Sequence, residues 1–363
     1  MNKMIPCLLP VNLLWLKRKL FLIFLLMISV SAFAQKELFS TIEKRISADL
    51  QTGINDVFLA KRITKDLTKL KADGSWTDIN YADAQYDPLK RIKEMATAYI
   101  RPANKFYGNQ EIYGAITTSL QNWLDRNPKN KNWWYNDIFY PQAIGQTLIL
   151  MRNGKTQLPV ELEKVLIQRM VRKLKVGDGA NTSDEALHYL YRACLTQNKN
   201  TLDSAAKYLF EPIAVEDGKE GVQVDGSYYQ HGKQQAIASY GRVFAGNSVN
   251  AAYYLRDTEY ALPKAQLHIL VSYLKDTFLT KAYVCHSLFC AVMQNKYGIP
   301  GGEAIGATSG HLYTDLKGTL SALEKLMGAH EIQDLDGDYK EYVEACLSTT
   351  HRVKQRTTRS QWL

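Results

Sequence analysis

The sequence contains few cysteines, five in 363 residues. Four of them, Cys194, Cys285, Cys290 and Cys346, follow the first 34 residues, and four are too few for a disulfide scaffold in a chain of this length. Cys285 and Cys290 lie close to His286, as in half of a zinc site, but no second half with zinc-type spacing follows. We therefore predict neither a disulfide framework nor a metal centre.

Long apolar runs are also scarce. One covers residues 20–30, after the basic residues 17–19 and before the small residues 31–34. This run is shorter than the roughly 20 residues that a membrane-spanning helix needs, and its flanks are typical of a secretory signal peptide. We predict cleavage after Ala34, a secreted or periplasmic protein, and no stable membrane span after cleavage.

Acidic residues are outnumbered by basic residues, 36 against 45, which gives a formal net charge of +9. Residues 1–34 carry four basic residues and no acidic residue, so the mature chain would retain +5. On an exported protein, this moderate excess favours an acidic extracellular partner, such as a polyanionic sugar, over nucleic acid. The alternative is a solvated and slightly basic surface without a specific partner.

Convincing alternating strands are absent from residues 35–283, where amphipathic helices and short polar breaks follow one another. The clearest helix lies in residues 181–195, with Ser183 as its predicted N-cap. Three further helices are predicted to start at prolines: Pro141, Pro159 and Pro263. Helix–loop–helix units of similar length predict an all-α fold with an α/α layered or toroidal architecture.

The pattern changes after residue 281. Residues 282–311 have no clear period, and residues 312–363 contain an amphipathic piece followed by an acidic stretch. That stretch begins like a calcium-binding loop but has Ala345 at its twelfth position, where such loops carry Glu, so we predict a solvated turn. We therefore expect a helical domain over 35–281, a divergent segment over 282–311 and a helical tail over 312–363.

Two adjacent tryptophans, Trp133 and Trp134, lie in the polar stretch 130–137 and are not expected to be buried together in an ordinary core. Aromatic surfaces in a polar loop suit the C–H faces of sugar rings, so this pair is a candidate sugar-stacking platform. The alternative is that one tryptophan anchors the loop.

Three further polar residues stand at helix starts, where functional groups are often found. Asn181 precedes Ser183, so its amide and the next backbone N–H groups suit an anion, although an Asn in such a turn is more often structural. His231 and Tyr240 are nine positions apart and would face opposite sides of an unbroken helix. They share a site only if the helix begins after Gly232 and His231 lies in the preceding loop.

Convergence of Asn181, His231 and Tyr240 would suit proton abstraction next to a carboxylate. Asn181 and His231 would neutralise the carboxylate through hydrogen bonds, which makes its α-proton more acidic. Tyr240 would take that proton and then protonate the leaving oxygen. The alternative is a structural histidine and a core tyrosine.

These motifs together resemble polysaccharide lyase family 8, which contains the chondroitin AC, hyaluronate and xanthan lyases, and they are most similar to the bacterial chondroitin AC lyases. The matching segments occur in order over most of residues 36–280 and read DGSW, NWW, PQAIGQTLILMR, GANTSDEALHYLYRACL and YYQHGKQQAIASYG. The resemblance implies an α/α toroid that is followed by antiparallel β-domains. It also implies metal-independent and cofactor-free β-elimination of an acidic polysaccharide, which leaves an unsaturated uronate.

By position, the resemblance implies that Asn181 neutralises the substrate carboxylate, that His231 is the catalytic histidine and that Tyr240 is the base and acid. The substrate-binding residues that it implies are Asn132, Trp133 and Trp134. The expected partner is chondroitin sulfate, hyaluronan or a xanthan-like chain rather than nucleic acid, and the expected state is a monomer.

The sequence departs from the family pattern in two places. After residue 281 the family carries an Arg-rich stretch that helps bind substrate, whereas YGIPGGEA stands here without arginine. The sequence also ends at Leu363, where the family continues into its β-domains. These departures predict an incomplete toroid without β-sandwich domains, and a reading frame that is disrupted from Ala282 onward.

Two other functions stay open at this point. An inactive remnant would bind glycan through Trp133 and Trp134 without cleaving it. A glycoside hydrolase on a similar helical toroid would need two carboxylates in its cleft, for which Asp137, Asp184 and Asp225 are candidates.

Overall fold

The computed structural model describes residues 33–82, 87–175, 177–274, 277 and 325. Within these residues there are ten α-helices: α1 (33–49), α2 (Asp56–Leu67), α3 (Asp87–Ile100), α4 (Gln110–Arg126), α5 (Tyr140–Arg152), α6 (Val160–Arg169), α7 (Gly179–Thr196), α8 (Lys199–Phe210), α9 (Arg242–Leu255) and α10 (Lys264–Ser272). Two π-helical segments, Tyr135–Phe139 and Ile237–Gly241, lead directly into α5 and α9.

Several predictions concern residues outside these ranges. They are residues 1–32 of the predicted signal peptide 1–34, the divergent segment 282–311, the cysteines at 285 and 290, and the acidic stretch in the tail. Within the described part of the chain, no helix combines the length and the apolar character that crossing a bilayer requires.

The helices pack in two layers. The four helices α3, α5, α7 and α9 contact one another in that order, and α4, α6, α8 and α10 each pack against the preceding member of the row. The row is the inner layer, because α5 and α7 are buried on most sides whereas α6 buries only Leu162 and Leu166. These successive helical hairpins confirm the predicted α/α architecture, and their closure into a toroid stays a prediction.

Three inner helices, α5, α7 and α9, run in the same direction. At their C-terminal ends, Arg152 of α5 donates to the Leu195 carbonyl of α7 at 2.7 Å, and Tyr254 of α9 donates to Asp49 of α1 at 2.6 Å. Nearer their N-terminal ends, Gln142 of α5 donates to the Asp184 carbonyl of α7 at 2.7 Å. The N-termini of α5, α7 and α9 therefore lie at one end of the inner layer, opposite α1.

The body is mostly helical, as predicted, and a small sheet that the sequence pattern did not indicate interrupts the helices. Its strands are β1 (Val215–Glu216), β2 (Gly221–Gln223), β3 (Tyr228–Gln230) and β4 (Gln234–Gln235), in the order β1-β2-β3-β4. β1 and β2 are parallel, and the other two pairs are antiparallel. Strands of two or three residues are too short to show an alternating pattern, although the Asp225-Gly226 turn between β2 and β3 is a typical hairpin signal.

The predicted helix starts at the three prolines agree with the structure to within a residue. Pro141 lies in the first turn of α5, while Pro159 and Pro263 immediately precede α6 and α10. Proline is tolerated at these positions because the first N–H groups of a helix have no partner within the helix.

Candidate active site

His231 and Tyr240 meet in the structure. Nε2 of His231 lies 2.9 Å from Oη of Tyr240, and the two ring planes are nearly perpendicular at 88°. His231 occupies the turn after β3, and Tyr240 lies in the π-helical segment that leads into α9. The arrangement satisfies the condition set by the sequence, a loop histidine that reaches over a helical tyrosine.

The turn that carries His231 has an uncommon backbone. His231 has φ +54° and the following Gly232 has φ +80°, so two consecutive residues adopt the left-handed conformation. Only a few per cent of non-glycine residues do so, and such residues cluster at functional sites. The turn leads the chain into β4 and leaves the imidazole exposed at its tip.

Gln230, the residue before His231, attaches this turn to the start of α7. Its Oε1 accepts a hydrogen bond from the Ala180 N–H at 3.1 Å, and its Nε2 donates to the Asp178 carbonyl at 3.3 Å. Gly179 leaves room for this contact, since a Cβ there would lie 2.3 Å from Oε1 of Gln230. Gln230 and Ala180 thus form a contact between β3 and α7. His231 directly follows Gln230 in the chain, and Asn181 directly follows Ala180.

The predicted N-cap of α7 was wrong. The helix begins at Gly179 after Asp178, and Ser183 lies inside it, where its hydroxyl donates to the Ala180 carbonyl at 2.8 Å. The Gln230 side chain accepts from the Ala180 N–H, one of the first N–H groups that have no partner within the helix. This tertiary contact cannot be predicted from the local sequence. Asn181 is therefore the third residue of the helix and lies in its first turn.

The Asn181 side chain is buried, with 4% of its residue surface exposed. Within the described part of the chain, its carboxamide makes no hydrogen bond. An amide at the N-terminal end of a helix can donate to a carboxylate together with the positive end of the helix dipole. The arrangement therefore suits an acidic ligand.

The two tryptophans have different environments. Trp133 is 39% exposed, and Nζ of Lys175 lies 3.8 Å from its ring centroid. Trp134 is half-buried and stacks on Phe139 with 5.9 Å between ring centroids. Asn132 is exposed and accepts from the Trp134 N–H at 3.0 Å, so it caps this helical start. Of the two rings, Trp133 is the more open and Trp134 packs against the segment, and the sugar-stacking role of the pair stays a prediction.

Lys175 connects Trp133 to the start of α7. Its backbone N–H donates to Glu185 Oε2 at 2.5 Å, and its carbonyl accepts from the Thr182 hydroxyl at 3.0 Å. The first turns of α7 therefore contact Lys175, whose ammonium group lies over the Trp133 ring. They also contact Gln230, which fixes the turn that carries His231. All the candidate residues lie at the end of the inner layer where α5, α7 and α9 begin.

The carboxylates that a hydrolase would need have separate structural partners. Asp225 accepts from the N–H and hydroxyl of Ser227 in a turn, and Asp137 pairs with Lys175 at 3.3 Å. Asp184 accepts from Asn247 at 2.8 Å, and burial raises its pKa to about 6. These contacts do not present an acid and base pair. Among the described residues, no group of three or more His, Cys, Asp or Glu is arranged to hold a metal ion.

His188 of α7 predicts a pH dependence of folding stability. The side chain is fully buried, and desolvation, followed by Arg192 and Arg172, lowers the pKa of His188 to about 3. The unfolded chain, with an ordinary histidine pKa near 6.5, binds more protons between these values, so stability is lost as the pH falls from about 6.5 toward 3. We expect His188→Gln to reduce the slope of the unfolding free energy against pH by up to about 1.4 kcal/mol per unit over this window.

Urea unfolding at several pH values between 4.5 and 6.5 measures that slope. Burial raises the pKa of Glu185 to about 7, and its opposite contribution cancels when wild type and variant are compared. The matched control is His268→Gln, the same substitution at an exposed histidine. Equal slopes for His188→Gln and the wild type would contradict the prediction.

Comparison with known proteins agrees with the helical fold. A model of the polysaccharide lyase family 8 N-terminal α-helical domain matches residues 40–284. Chondroitinase-AC of Pedobacter heparinus is 39% identical over 249 residues, which cover 66% of this chain and 35% of the relative. The fold is thus that of an N-terminal helical lyase domain. The chain belongs to polysaccharide lyase family 8.

Solved structures give the same relationship. A chondroitinase AC lyase studied as oligosaccharide complexes matches with a TM-score of 0.63 and 38% identity, over 67% of this chain and 37% of that structure. A Paenibacillus xanthan lyase matches with a TM-score of 0.61 and 12% identity, over 86% of this chain and 34% of that structure, and shows the fold alone. The chain spans about a third of the length of these relatives.

Sequence reasoning missed three residues that assemble the site. Gln230 and Lys175 connect its parts, and Glu220 contacts both neighbours of His231. The available signal was the run of polar residues around His231 in the YYQHGKQQ segment.

Proposed function

We propose that this chain carries an active site for metal-independent β-elimination on an acidic glycosaminoglycan of the chondroitin sulfate or hyaluronan type. The observation that carries the proposal is the 2.9 Å contact between His231 and Tyr240, beside the helix start that holds Asn181. The family relationship and the name of the Pedobacter relative support the substrate class.

The charge of the substrate fits the end of the molecule where these residues lie. The N-termini of three parallel helices, α5, α7 and α9, meet there, and each contributes a partial positive charge of about half a unit. The Asn181 carboxamide is unpaired among the described residues, so it can donate to a uronate carboxylate without breaking an internal hydrogen bond. Neutralising that carboxylate makes the proton on C5 of the uronate more acidic.

Tyr240 and His231 then carry the proton. A deprotonated Tyr240 oxygen takes the C5 proton, the electron pair left on C5 forms the C4–C5 double bond, and the C4–O4 bond breaks. The Tyr240 hydroxyl returns the same proton to this glycosidic oxygen, which departs with the neighbouring sugar as its anomeric hydroxyl. His231 lies within hydrogen-bond distance of the phenol oxygen, so its Nε2 orients that oxygen and stabilises its charged form. The proposed elimination transfers one proton from C5 to the glycosidic oxygen and requires no water, metal or cofactor.

The test is analysis of the reaction products by mass spectrometry. Elimination yields an unsaturated fragment that is lighter by one water than the fragment hydrolysis would give. Unsaturated products from chondroitin sulfate or hyaluronan would support the proposal, and saturated products would identify a hydrolase. Binding without any product would identify a glycan-binding protein, for which the exposed face of Trp133 is the supporting observation.

Trp133 should contribute to binding rather than to chemistry. Loss of one stacking surface costs about 1 kcal/mol, so Trp133→Ala should raise KM roughly five- to tenfold and leave kcat within about twofold. Trp134→Ala provides the contrast, because it removes a side chain stacked on Phe139 and should lower the unfolding free energy by about 3 kcal/mol. Steady-state kinetics and urea unfolding measure the two effects, and an unchanged KM for Trp133→Ala would count against the platform.

The location of the protein is part of the proposal. The basic, apolar and small-residue segments before residue 35 support export to the periplasm or the medium. An acidic extracellular polysaccharide would be accessible there.

A further inference from the structure

The contacts of Glu220 surround the residue on which the proposed chemistry depends. Glu220 lies in the connection between β1 and β2, and its side chain is half-buried. Oε2 accepts from Nε2 of Gln230 at 2.7 Å, and Oε1 accepts from the Gly232 N–H at 2.8 Å. One carboxylate therefore contacts both residues that flank His231.

These two hydrogen bonds stabilise a backbone that is otherwise unfavourable. His231 and Gly232 both have positive φ, and a non-glycine residue keeps this sparsely populated conformation only where its surroundings hold it there. Hydrogen bonds to a carboxylate are among the stronger ones in proteins. Without Glu220, the Gly232 N–H and the Gln230 amide would each lose an acceptor, and the turn could relax.

Glu220 is itself held in place by Gln223 of β2. Oε1 of Gln223 accepts from the Gly218 N–H at 2.8 Å, and its Nε2 donates to the Lys219 carbonyl at 2.7 Å. The Gln223 side chain is buried, so the β1–β2 connection is fixed on both sides of residue 219. The small sheet thus forms a rigid support for the His231 turn.

The geometry points to Glu220 as a positioning residue that holds the His231 imidazole against the Tyr240 hydroxyl. This inference rests on the proposed function, because it assigns Glu220 a role in the same elimination. Glu220 acts through the backbone of the turn and through Gln230, which also attaches that turn to α7. Its contribution should therefore appear in the chemical step.

Kinetics of the full chain test this role. A displacement of about 1 Å in a catalytic group lowers rates by about 100-fold, so Glu220→Ala should lower kcat by that order and leave KM within about twofold. Glu220→Gln keeps one acceptor oxygen and should fall between Glu220→Ala and wild type. Asp217→Asn is the matched control, because Asp217 is exposed in the same connection and its loss removes the same charge.

A second readout does not depend on catalysis. The imidazole ¹⁵N resonances of His231, assigned with His231→Gln, report its hydrogen bond to Tyr240. They should shift toward those of an unbonded imidazole in Glu220→Ala and, to a smaller extent, in Glu220→Gln, and stay in place in Asp217→Asn. Should the wild type not eliminate at all, the proposed function fails and the resonances still test the position of His231.

Wild-type kcat in both Glu220 variants, or unshifted His231 resonances in both, would overturn the inference. If Glu220→Ala does not fold, Glu220→Gln carries the test, since its side chain has nearly the same shape. An equal loss of kcat in Asp217→Asn would also overturn it, because the effect would then come from charge rather than from hydrogen bonds to the turn.

Discussion

Tyr240→Phe should lower kcat for elimination by about 1000-fold or more. The substitution removes only the phenol oxygen, which in the proposed reaction accepts the C5 proton and then donates it to O4, and loss of a general acid and base costs between about 100- and 10,000-fold. The ring remains in its half-buried place in the π-helical segment before α9, so the fold and the binding surface should persist. KM should therefore stay within about threefold of the wild-type value.

Tyr208→Phe provides a matched control. Tyr208 is half-buried on α8, in the outer layer, and loss of its hydroxyl should leave kcat unchanged. Both variants are compared by initial rates on chondroitin sulfate and by urea unfolding. Retention of more than a tenth of the wild-type kcat in Tyr240→Phe would show that another group moves the proton.

Asn181→Ala should lower kcat/KM by about 100- to 1000-fold without lowering the stability of the protein. Removal of one preorganised donor from a developing anion has an effect of this size. The Asn181 carboxamide is buried and makes no hydrogen bond within the described part of the chain, so its removal breaks no hydrogen bond there. The unfolding free energy should stay equal or rise, as is typical for a group kept for function.

Asn104 has the same exposed fraction as Asn181, 4%, but its side-chain amide is hydrogen-bonded. Its amide donates to the Asp56 carboxylate at 3.1 Å and to the Asp56 carbonyl at 3.2 Å. Asn104→Ala should lower the unfolding free energy by about 1–3 kcal/mol and leave kcat/KM unchanged. A stability loss in Asn181→Ala that matches the loss in Asn104→Ala would indicate that Asn181 is structural.

Much of the fold follows from local features of the sequence. The helices that begin at Pro141, Pro159 and Pro263 were predictable because proline fits a helix start and apolar residues recur at helical spacing behind it. The sequence predicted that His231 and Tyr240 could meet only if His231 precedes the helix, since nine positions within one helix would place them on opposite faces. The family resemblance selected that geometry.

The errors arise where tertiary contacts decide the local structure. Ser183 is a good N-cap by type, yet the N-cap of α7 is Asp178, five residues earlier, where Gln230, distant in sequence, accepts from the Ala180 N–H. The four strands were missed because each has two or three residues and depends on its neighbours for hydrogen bonds. The same limit applies to Glu220, whose role is visible only when its distances to Gln230 and Gly232 are known.

The two tryptophans show a further limit of sequence patterns. Adjacent positions in a polar stretch predicted one joint platform, but successive residues of a helical turn point in different directions. Trp134 consequently packs on Phe139, and Trp133 remains exposed beside Lys175. The structure thus shows different exposure for the two rings, and their roles in sugar binding stay a prediction.

The central claim is that His231, Tyr240 and Asn181 form a site for elimination without a metal. Ultraviolet absorbance during incubation of the purified chain with chondroitin sulfate, hyaluronan or xanthan in the presence of a chelator tests it most directly. The account predicts a steady rise in absorbance from the new C4–C5 double bond with chondroitin sulfate or hyaluronan, and no rise with Tyr240→Phe. A flat trace from wild-type protein that is folded and helical would contradict it.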